Sequence, residues 1–443
     1  EALNNLGLVK RQMLIVLNDN SMAIDPTQGS VANYFSRLRL SHPYEEMVKT
    51  TRNILEHLPV IGKGADRAIE RIKKSIRMAV TPSQLFESLN IPYFGPVDGH
   101  DVGSLIRLFN AVSHLEQPAI LHVYTKKGKG FAPAADAPGK FHSTGPFEVN
   151  GDTVEPLVSS GRKSFTASFG ENIVKQAEKD EKVIAITSAM CGGTGLSEFQ
   201  KKFTGRFYDV GIAESVAVDI AAGMAKTGLK PVVCIYSTFL QRSFDQIFQE
   251  VSLQDLPVVF CIDRAGLVGP DGPTHHGLMD IGFLRMMPNM VLVSPANEPE
   301  MAGALEFALA SGRPVAVRYP KDGLPEVPEE GEFSDIFRKP FELGKGITVR
   351  EGIDSRIALA AYGSILSEVL DASEKLAEEG IETDVVNARF AAPVDEQLVA
   401  LSQRMHVITV EDHRRGCGFG SAFLEKAAGR GHDSGSEYQI RVL

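Results

Sequence analysis

Residues 206–263 read RFYDVGIAESVAVDIAAGMAKTGLKPVVCIYSTFLQRSFDQIFQEVSLQDLPVVFCID, and the alternation within them decides the fold. Strand-like RFYDVG gives way to helix-like ESVAVDIAAGMAKTG, then to strand-like KPVVCIYS, helix-like FDQIFQEVSLQ and strand-like LPVVFCID. Short Val/Ile runs separated by helical segments predict βαβ units, and therefore a parallel sheet covered on both faces. The pattern continues through a Gly/Pro loop to MVLVSP, a helix and PVAVRYP, ending near Pro320.

Working outward, a second alternating block runs from about Arg356 to the end: IALAAYG, a helix from Ser364 to Glu379, TDVVNARF, HVITVED, a Gly-rich turn and YQIRVL. Between the blocks, GLPEVPEEGEFSD is rich in Pro and Glu, as an exposed linker would be. The first part of the chain is less regular, with strands expected at Met13 to Leu17 and Ile120 to Tyr124 and a charged, helix-like middle between Pro43 and Met78. These blocks predict an α/β protein of three domains with mostly parallel sheets: 1–155, 156–322 and 346–443, with 323–345 as linker.

At 443 residues the chain is too long for one hydrophobic core. Its 43% hydrophobic and 23% charged residues are ordinary globular values, and no apolar run approaches the length of a membrane span. The 46 basic and 56 acidic residues are spread along the chain to a net charge of -10, which argues against a nucleic-acid surface. An anionic substrate must then be met by local basic residues. Cys191, Cys234, Cys261 and Cys417 are widely scattered, and two of them sit in apolar strands. They are expected to be reduced core residues rather than disulfides or a metal cluster. The chain opens on EALNN without an initiator Met and stops on the strand-like EYQIRVL, which reads as a piece of a longer protein.

Five places could carry chemistry. In IVLNDNSMAI (15–24) an apolar run stops on Asn18, Asp19 and Asn20. Taken alone these suit a turn first, because Asn and Asp bond their own backbone, and a ligand site at the carboxyl end of a strand second. Glu214 opens the helix ESVAVDIAAGMA on one stripe with Val218, Ala221 and Ala225. Either it is buried and needs a partner or a raised pKa, or it complements the helix dipole and faces water. The loop AGLVGPDGPTHHG (265–277) follows a strand ending in Asp263-Arg264 and carries Asp271, His275 and His276. Long Gly-rich loops at the carboxyl ends of parallel strands are where α/β proteins place function, and neutral His as donor or proton shuttle suits this one better than a metal site. Arg242, Arg264 and Lys321 each lie just beyond a strand, which suggests capture of a small phosphate or carboxylate; singly they read as surface charges. TKKGKGF (125–131) suits phosphate oxygens, or is a solvated lysine run.

Taken in order, NDNSM, GPVDGHD, TKKGKGF, YDVGIAES, YSTFLQRSFDQ, IDRAGLVGPDGPTHHG and VRYPKD resemble the 1-deoxy-D-xylulose-5-phosphate synthases, a transketolase-like family of thiamine diphosphate enzymes, over essentially the whole chain. The resemblance implies a reaction of pyruvate with glyceraldehyde 3-phosphate that gives 1-deoxy-D-xylulose 5-phosphate and CO₂. It also implies a homodimer located in the cytoplasm, or in the plastid stroma of a plant, with thiamine diphosphate and Mg²⁺ as cofactors.

By motif, Asn20 would give Mg²⁺ a side-chain oxygen and Met22 a backbone carbonyl, while the Gly-Asp-Gly that begins the family's magnesium motif is not in this sequence. Glu214 matches the glutamate that bonds the aminopyrimidine and promotes its imino tautomer. Phe239 would pack on that ring, with Lys129 and Phe131 beside the cofactor, and Tyr236, Arg242, Arg264, Asp271, His275 and Lys321 would line the substrate pocket. The family often has His where this chain has Val216, Tyr at Phe131 and Arg at Lys321; Lys keeps the charge and loses the bidentate fork. Two other readings stand beside this one: a transketolase acting on sugar phosphates without releasing CO₂, and a non-catalytic relative lacking the metal motif.

Overall fold

A computed structural model describes residues 2–22, 86, 88–113, 115–142, 144–151, 153–157, 161–327, 331–430 and 440–442. The charged middle between Pro43 and Met78 lies outside these. The chain divides into two compact units, Glu1–Val158 and Ser159–Leu443. No helix among the described residues is long and apolar enough to cross a membrane.

In the first unit, strands β1 (Met13–Asp19), β2 (Tyr93–Asp98) and β3 (Pro118–Tyr124) form a parallel sheet in the order β1-β3-β2. The helix Val102–Val112, capped by Asp101 accepting from the Ser104 amide, lays Leu108 and Val112 against Tyr93, Phe94, Ile120 and Leu121. A hairpin of β4 (Phe147–Asn150) and β5 (Thr153–Pro156) follows. Asn18 and Asp19 stand at the carboxyl end of β1, whose register brings Asp19 level with Tyr124 on β3.

The second unit holds two sheets. The larger comprises β6 (Val183–Thr187), β7 (Phe207–Asp209), β8 (Lys230–Tyr236), β9 (Val259–Asp263), β10 (Val291–Val293) and β11 (Val315–Arg318). All six are parallel, and the order β10-β11-β9-β8-β6-β7 places the carboxyl ends of β11, β9 and β8 side by side. Apart from the edge strand β7, these strands are nearly continuous buried apolar runs, as in a sheet with helices on both faces, and each fully buried Val or Ile contributes about 1.5–3 kcal/mol. The helix Phe165–Lys179, capped by Ser164, buries Phe165, Phe169 and Ile173 against this sheet.

The smaller sheet comprises β12 (Ile347–Arg350), β13 (Ile357–Tyr362), β14 (Asp384–Asn387), β16 (His406–Glu411) and β17 (Ile440–Val442), in the order β12-β14-β13-β16-β17. Only β12 in it runs antiparallel to its neighbour, and the helix Leu366–Glu378 packs Leu366 and Val369 on the core with Leu359 and Val385. The stretch TDVVNARF departs from a single strand. After β14 the chain passes Arg389 at φ 54° and enters β15 (Phe390–Ala392), which adds antiparallel to β10 at the edge of the larger sheet. Arg389, 1% exposed, donates from Nε to the fully buried Glu300, and Asn387 donates to both oxygens of the same carboxylate.

Two further departures are local. The segment FDQIFQEVSLQ is helical but widens into π-helical turns over Ile247–Ser252. Cys417 is exposed, in the Gly-rich turn after β16, whereas Cys191, Cys234 and Cys261 are buried.

Candidate active site

Parallel strands deliver their carboxyl ends to one side of a sheet, and the second unit concentrates its polar side chains there. The order of β11, β9 and β8 dictates which: Lys321 beyond β11, Arg264 beyond β9, and Tyr236 at the end of β8 with Phe239 and Arg242 on the short helical segment that follows.

Glu214 is the first residue of the helix Glu214–Lys226 and is only 4% exposed, with Val218 and Ala221 fully buried one and two turns further along. A carboxylate so placed is stabilised by the helix N-terminus and still requires a specific partner. Arg242 supplies it, Nη1 donating to Glu214 Oε1, while its guanidinium lies 4.9 Å from the centre of the Phe239 ring. Phe239 stacks on Tyr236 at 5.8 Å and meets the His275 ring edge-on at 5.3 Å. Helix, strand end and loop thus bring Glu214, Arg242, Phe239, His275 and Tyr236 into one chain of contacts.

Arg264 continues it. Its backbone is left-handed at φ 60°, a conformation uncommon for a residue with a Cβ, and it turns the guanidinium back over the Tyr236 ring at 4.1 Å. Nη1 pairs with Asp263 at 2.9 Å and donates to the Gly193 carbonyl at 2.6 Å, whereas Nε is buried without a hydrogen-bond partner among the described residues. Burial raises the Asp263 carboxyl above its ordinary range, although Arg264 and the Thr166 hydroxyl, which donates to Oδ2 at 2.8 Å, both act to lower it.

The loop 265–277 is closed at its neck by two backbone bonds between Gly266 and Gly277, of 3.0 and 2.8 Å. Within it Asp271 accepts from Lys321 Nζ at 2.7 and 2.8 Å, and His275 Nδ1 lies 3.0 Å from the Thr274 hydroxyl. The two loop residues are therefore held separately: Asp271 by a cation from the end of β11, His275 by its own neighbour and Phe239.

In the first unit, Asn20 Oδ1 accepts from the Met22 amide at 2.9 Å, the Asx turn that short polar residues favour, and Asn18 Oδ1 accepts from Thr125 at 2.7 Å. Asp19 lies 3.4 Å from His122 Nε2. The amide oxygen of Asn20 and the backbone carbonyl of Met22 are hard donors of the kind Mg²⁺ takes. Among the described residues there is no group of three or more His, Cys, Asp or Glu that could hold a metal. Phe131 packs edge-on to Phe141 at 5.7 Å and stacks on Phe147 at 6.2 Å; Lys129 stands in the turn just before it, its amide donating to the Lys126 carbonyl at 3.2 Å.

Sequence reasoning passed over Thr166, Asp263 and the run AMCGGTG (189–195). That run follows β6 as the loop 265–277 follows β9, so its glycines were a readable signal. Gly193 approaches the Tyr236 hydroxyl so closely that a Cβ would collide with it. Thr166 lies far from Asp263 in sequence and offered no signal.

Residues 1–125 match the family described as 1-deoxy-D-xylulose-5-phosphate synthase, residues 162–326 the transketolase pyrimidine binding domain, and residues 344–443 the transketolase C-terminal domain. The chain is 42% identical to 1-deoxy-D-xylulose-5-phosphate synthase 1 of Geobacter sulfurreducens, over 97% of this chain and 67% of the relative. It is 43% identical to the synthase of Rhodopirellula baltica, over 100% of this chain and 68% of the relative. The Aquifex aeolicus synthase is 44% identical over 97% and 67%. Among solved structures, a split-gene transketolase described as an inactive beta4 tetramer superposes with a TM-score of 0.56 at 27% identity, covering 64% of this chain and 89% of that one.

Proposed function

Because the chain belongs to the 1-deoxy-D-xylulose-5-phosphate synthase family, with a transketolase-like α/β fold, we propose that it condenses pyruvate with D-glyceraldehyde 3-phosphate, giving 1-deoxy-D-xylulose 5-phosphate and CO₂. This is transketolase-type transferase chemistry, at the start of isoprenoid biosynthesis and feeding thiamine and pyridoxal synthesis. The observation that carries the reading is the buried Glu214 at a helix start, in one chain of contacts with Arg242, Phe239, His275, Tyr236 and Arg264.

Thiamine diphosphate, when bound, supplies the electron sink that allows pyruvate to lose CO₂. Glu214 would hold the aminopyrimidine and set its tautomer, and the burial on its helix stripe keeps that carboxylate away from water. Phe239 offers its ring to the same heterocycle. In the first unit, Asn20 and Met22 are the candidate Mg²⁺ ligands, with Lys129 and Phe131 on the cofactor side. Arg242 and Arg264 neutralise the acceptor phosphate, and Tyr236 adds a hydroxyl donor. His275 orients the keto acid, and Lys321 and Asp271 complete the pocket as a pair.

The same reading takes the domain limits as 1–155, 156–322 and 346–443, and the enzyme as a cytoplasmic homodimer. The test is incubation with thiamine diphosphate, Mg²⁺, pyruvate and the aldehyde phosphate. One CO₂ released per 1-deoxy-D-xylulose 5-phosphate formed is the expected result. Transfer of a two-carbon unit between sugar phosphates without CO₂ would make the chain a transketolase instead.

A further inference from the structure

The loop that carries Asp271 and His275 is clamped from the smaller sheet. Beyond the carboxyl end of β16, the Asp412 carboxylate accepts the Leu267 amide at 3.2 and 3.3 Å, next to the Gly266–Gly277 neck. Gly266 stands at φ 74°, and a Cβ there would run into the Asp412 carboxylate, so the neck is built around this group. The other side of the neck is tied to the same place. Arg318, buried at the end of β11, donates from Nη2 to the Asp412 carbonyl at 2.6 Å and to the Gly277 carbonyl at 3.4 Å. Arg318 is itself fixed by Asp280 at 2.8 Å, and His413 stands 3.6 Å from the other oxygen of that carboxylate.

We propose that Asp412 is a positioning residue for the loop 265–277: through the Leu267 amide and the Gly266 close approach, the C-terminal sheet sets where Asp271 and His275 stand, and with them the loop's contribution to turnover. The inference rests on the proposed function for what the loop does, but not for how the loop is held. Asp412 touches neither Asp271 nor His275, and its effect runs through the neck. Asn at this position keeps an oxygen acceptor for the amide, whereas Ala does not.

The test compares Asp412→Ala, Asp412→Asn and Gly266→Ala by hydrogen exchange with mass spectrometry, and by steady-state kinetics of the cofactor-loaded protein. In Asp412→Ala the loop peptide 265–277 should exchange about tenfold faster, the weight of one charge-assisted hydrogen bond, while peptides in β16 and in the helix Phe419–Arg430 stay at the wild-type rate. The loss of kcat/KM, again about tenfold, should lie mainly in kcat, the parameter that His275 on this loop is expected to govern. Gly266→Ala, which pushes the carboxylate off the neck, should loosen the same peptide, and Asp412→Asn should restore both readouts. Unchanged loop exchange in Asp412→Ala and Gly266→Ala, or an Asn variant no better than Ala, overturns the proposal. If the wild-type protein does not condense the two substrates, the functional reading fails while the exchange comparison still decides the clamp.

Discussion

Arg242 donates from Nη1 to the Glu214 carboxylate, so the first residue of the helix 214–226 meets a cation from the segment that follows β8. The two differ in exposure, with the arginine side chain 52% exposed and the glutamate 4%. A half-exposed partner screens a buried charge and can still turn outward to a second anion at modest cost. The pair links the residue assigned to the cofactor with one assigned to the substrate.

Glu214→Gln should abolish turnover and leave thiamine diphosphate binding largely intact, since shape and a hydrogen-bonding oxygen survive while the proton-holding role does not. Calorimetric titration checks the binding. NMR exchange of the thiazolium proton checks the chemistry, and a wild-type exchange rate in the variant would remove Glu214 from the mechanism.

Arg242→Ala should raise KM for glyceraldehyde 3-phosphate by roughly one to two orders of magnitude, because charge-assisted bonds to phosphate contribute about 1.5–3 kcal/mol each. KM for pyruvate, which lacks the phosphate, should change much less. If glyceraldehyde and its 3-phosphate are weakened equally, the arginine is not reading phosphate.

His275→Ala should lower kcat by a similar factor for every aldehyde acceptor tried, since the ring, held by Thr274 and Phe239, is assigned to the keto-acid side. An effect confined to phosphorylated acceptors would move His275 to the other half of the pocket.

Arg389→Met should cost about 3–5 kcal/mol of stability, because it leaves Glu300 buried without its cation. Adding Glu300→Leu should recover part of that loss. Urea denaturation of the single and double variants measures both, and a double variant no more stable than Arg389→Met would show that the charge pair is not the source.

Glu411 is buried and accepts the Phe419 and Gly420 amides, and burial outweighs those bonds to raise its carboxyl above the ordinary 4.5. A raised carboxyl binds more protons folded than unfolded. Its contribution to stability is therefore full below about pH 4.5 and lost as pH rises through the folded value. Glu411→Gln should make the stability of the variant fall less steeply than wild type over that window, as measured by denaturant midpoints at a series of pH values. A parallel pair of curves would refute the assignment.

Strands β8 and β9 within residues 206–263 were legible because a sheet covered on both faces demands unbroken Val/Ile runs. The convergence of Tyr236, Arg264 and Lys321 followed from their places at strand ends, although the order of those strands did not. What pattern could not show were pairings between distant residues: Thr166 with Asp263, Arg242 with Glu214, and Asp412 with Leu267. The break inside TDVVNARF was hidden for a different reason. A buried Arg at φ 54° runs against both propensity and hydrophobicity, and the groups that receive it, the Glu300 carboxylate, the Pro340 carbonyl and the Phe341 ring, lie far away in sequence.

Strand β15 has a consequence for the order in which the chain can be assembled as it leaves the ribosome. The rim of the larger sheet at β10 is finished by Phe390–Ala392, and the pairing of Val293 with Phe390 must await roughly a hundred further residues of synthesis. Until then β10 presents open amides and carbonyls to any extended segment nearby. A nascent chain stalled in the linker would carry this open rim, since the sheet is completed only by a strand from the C-terminal sequence.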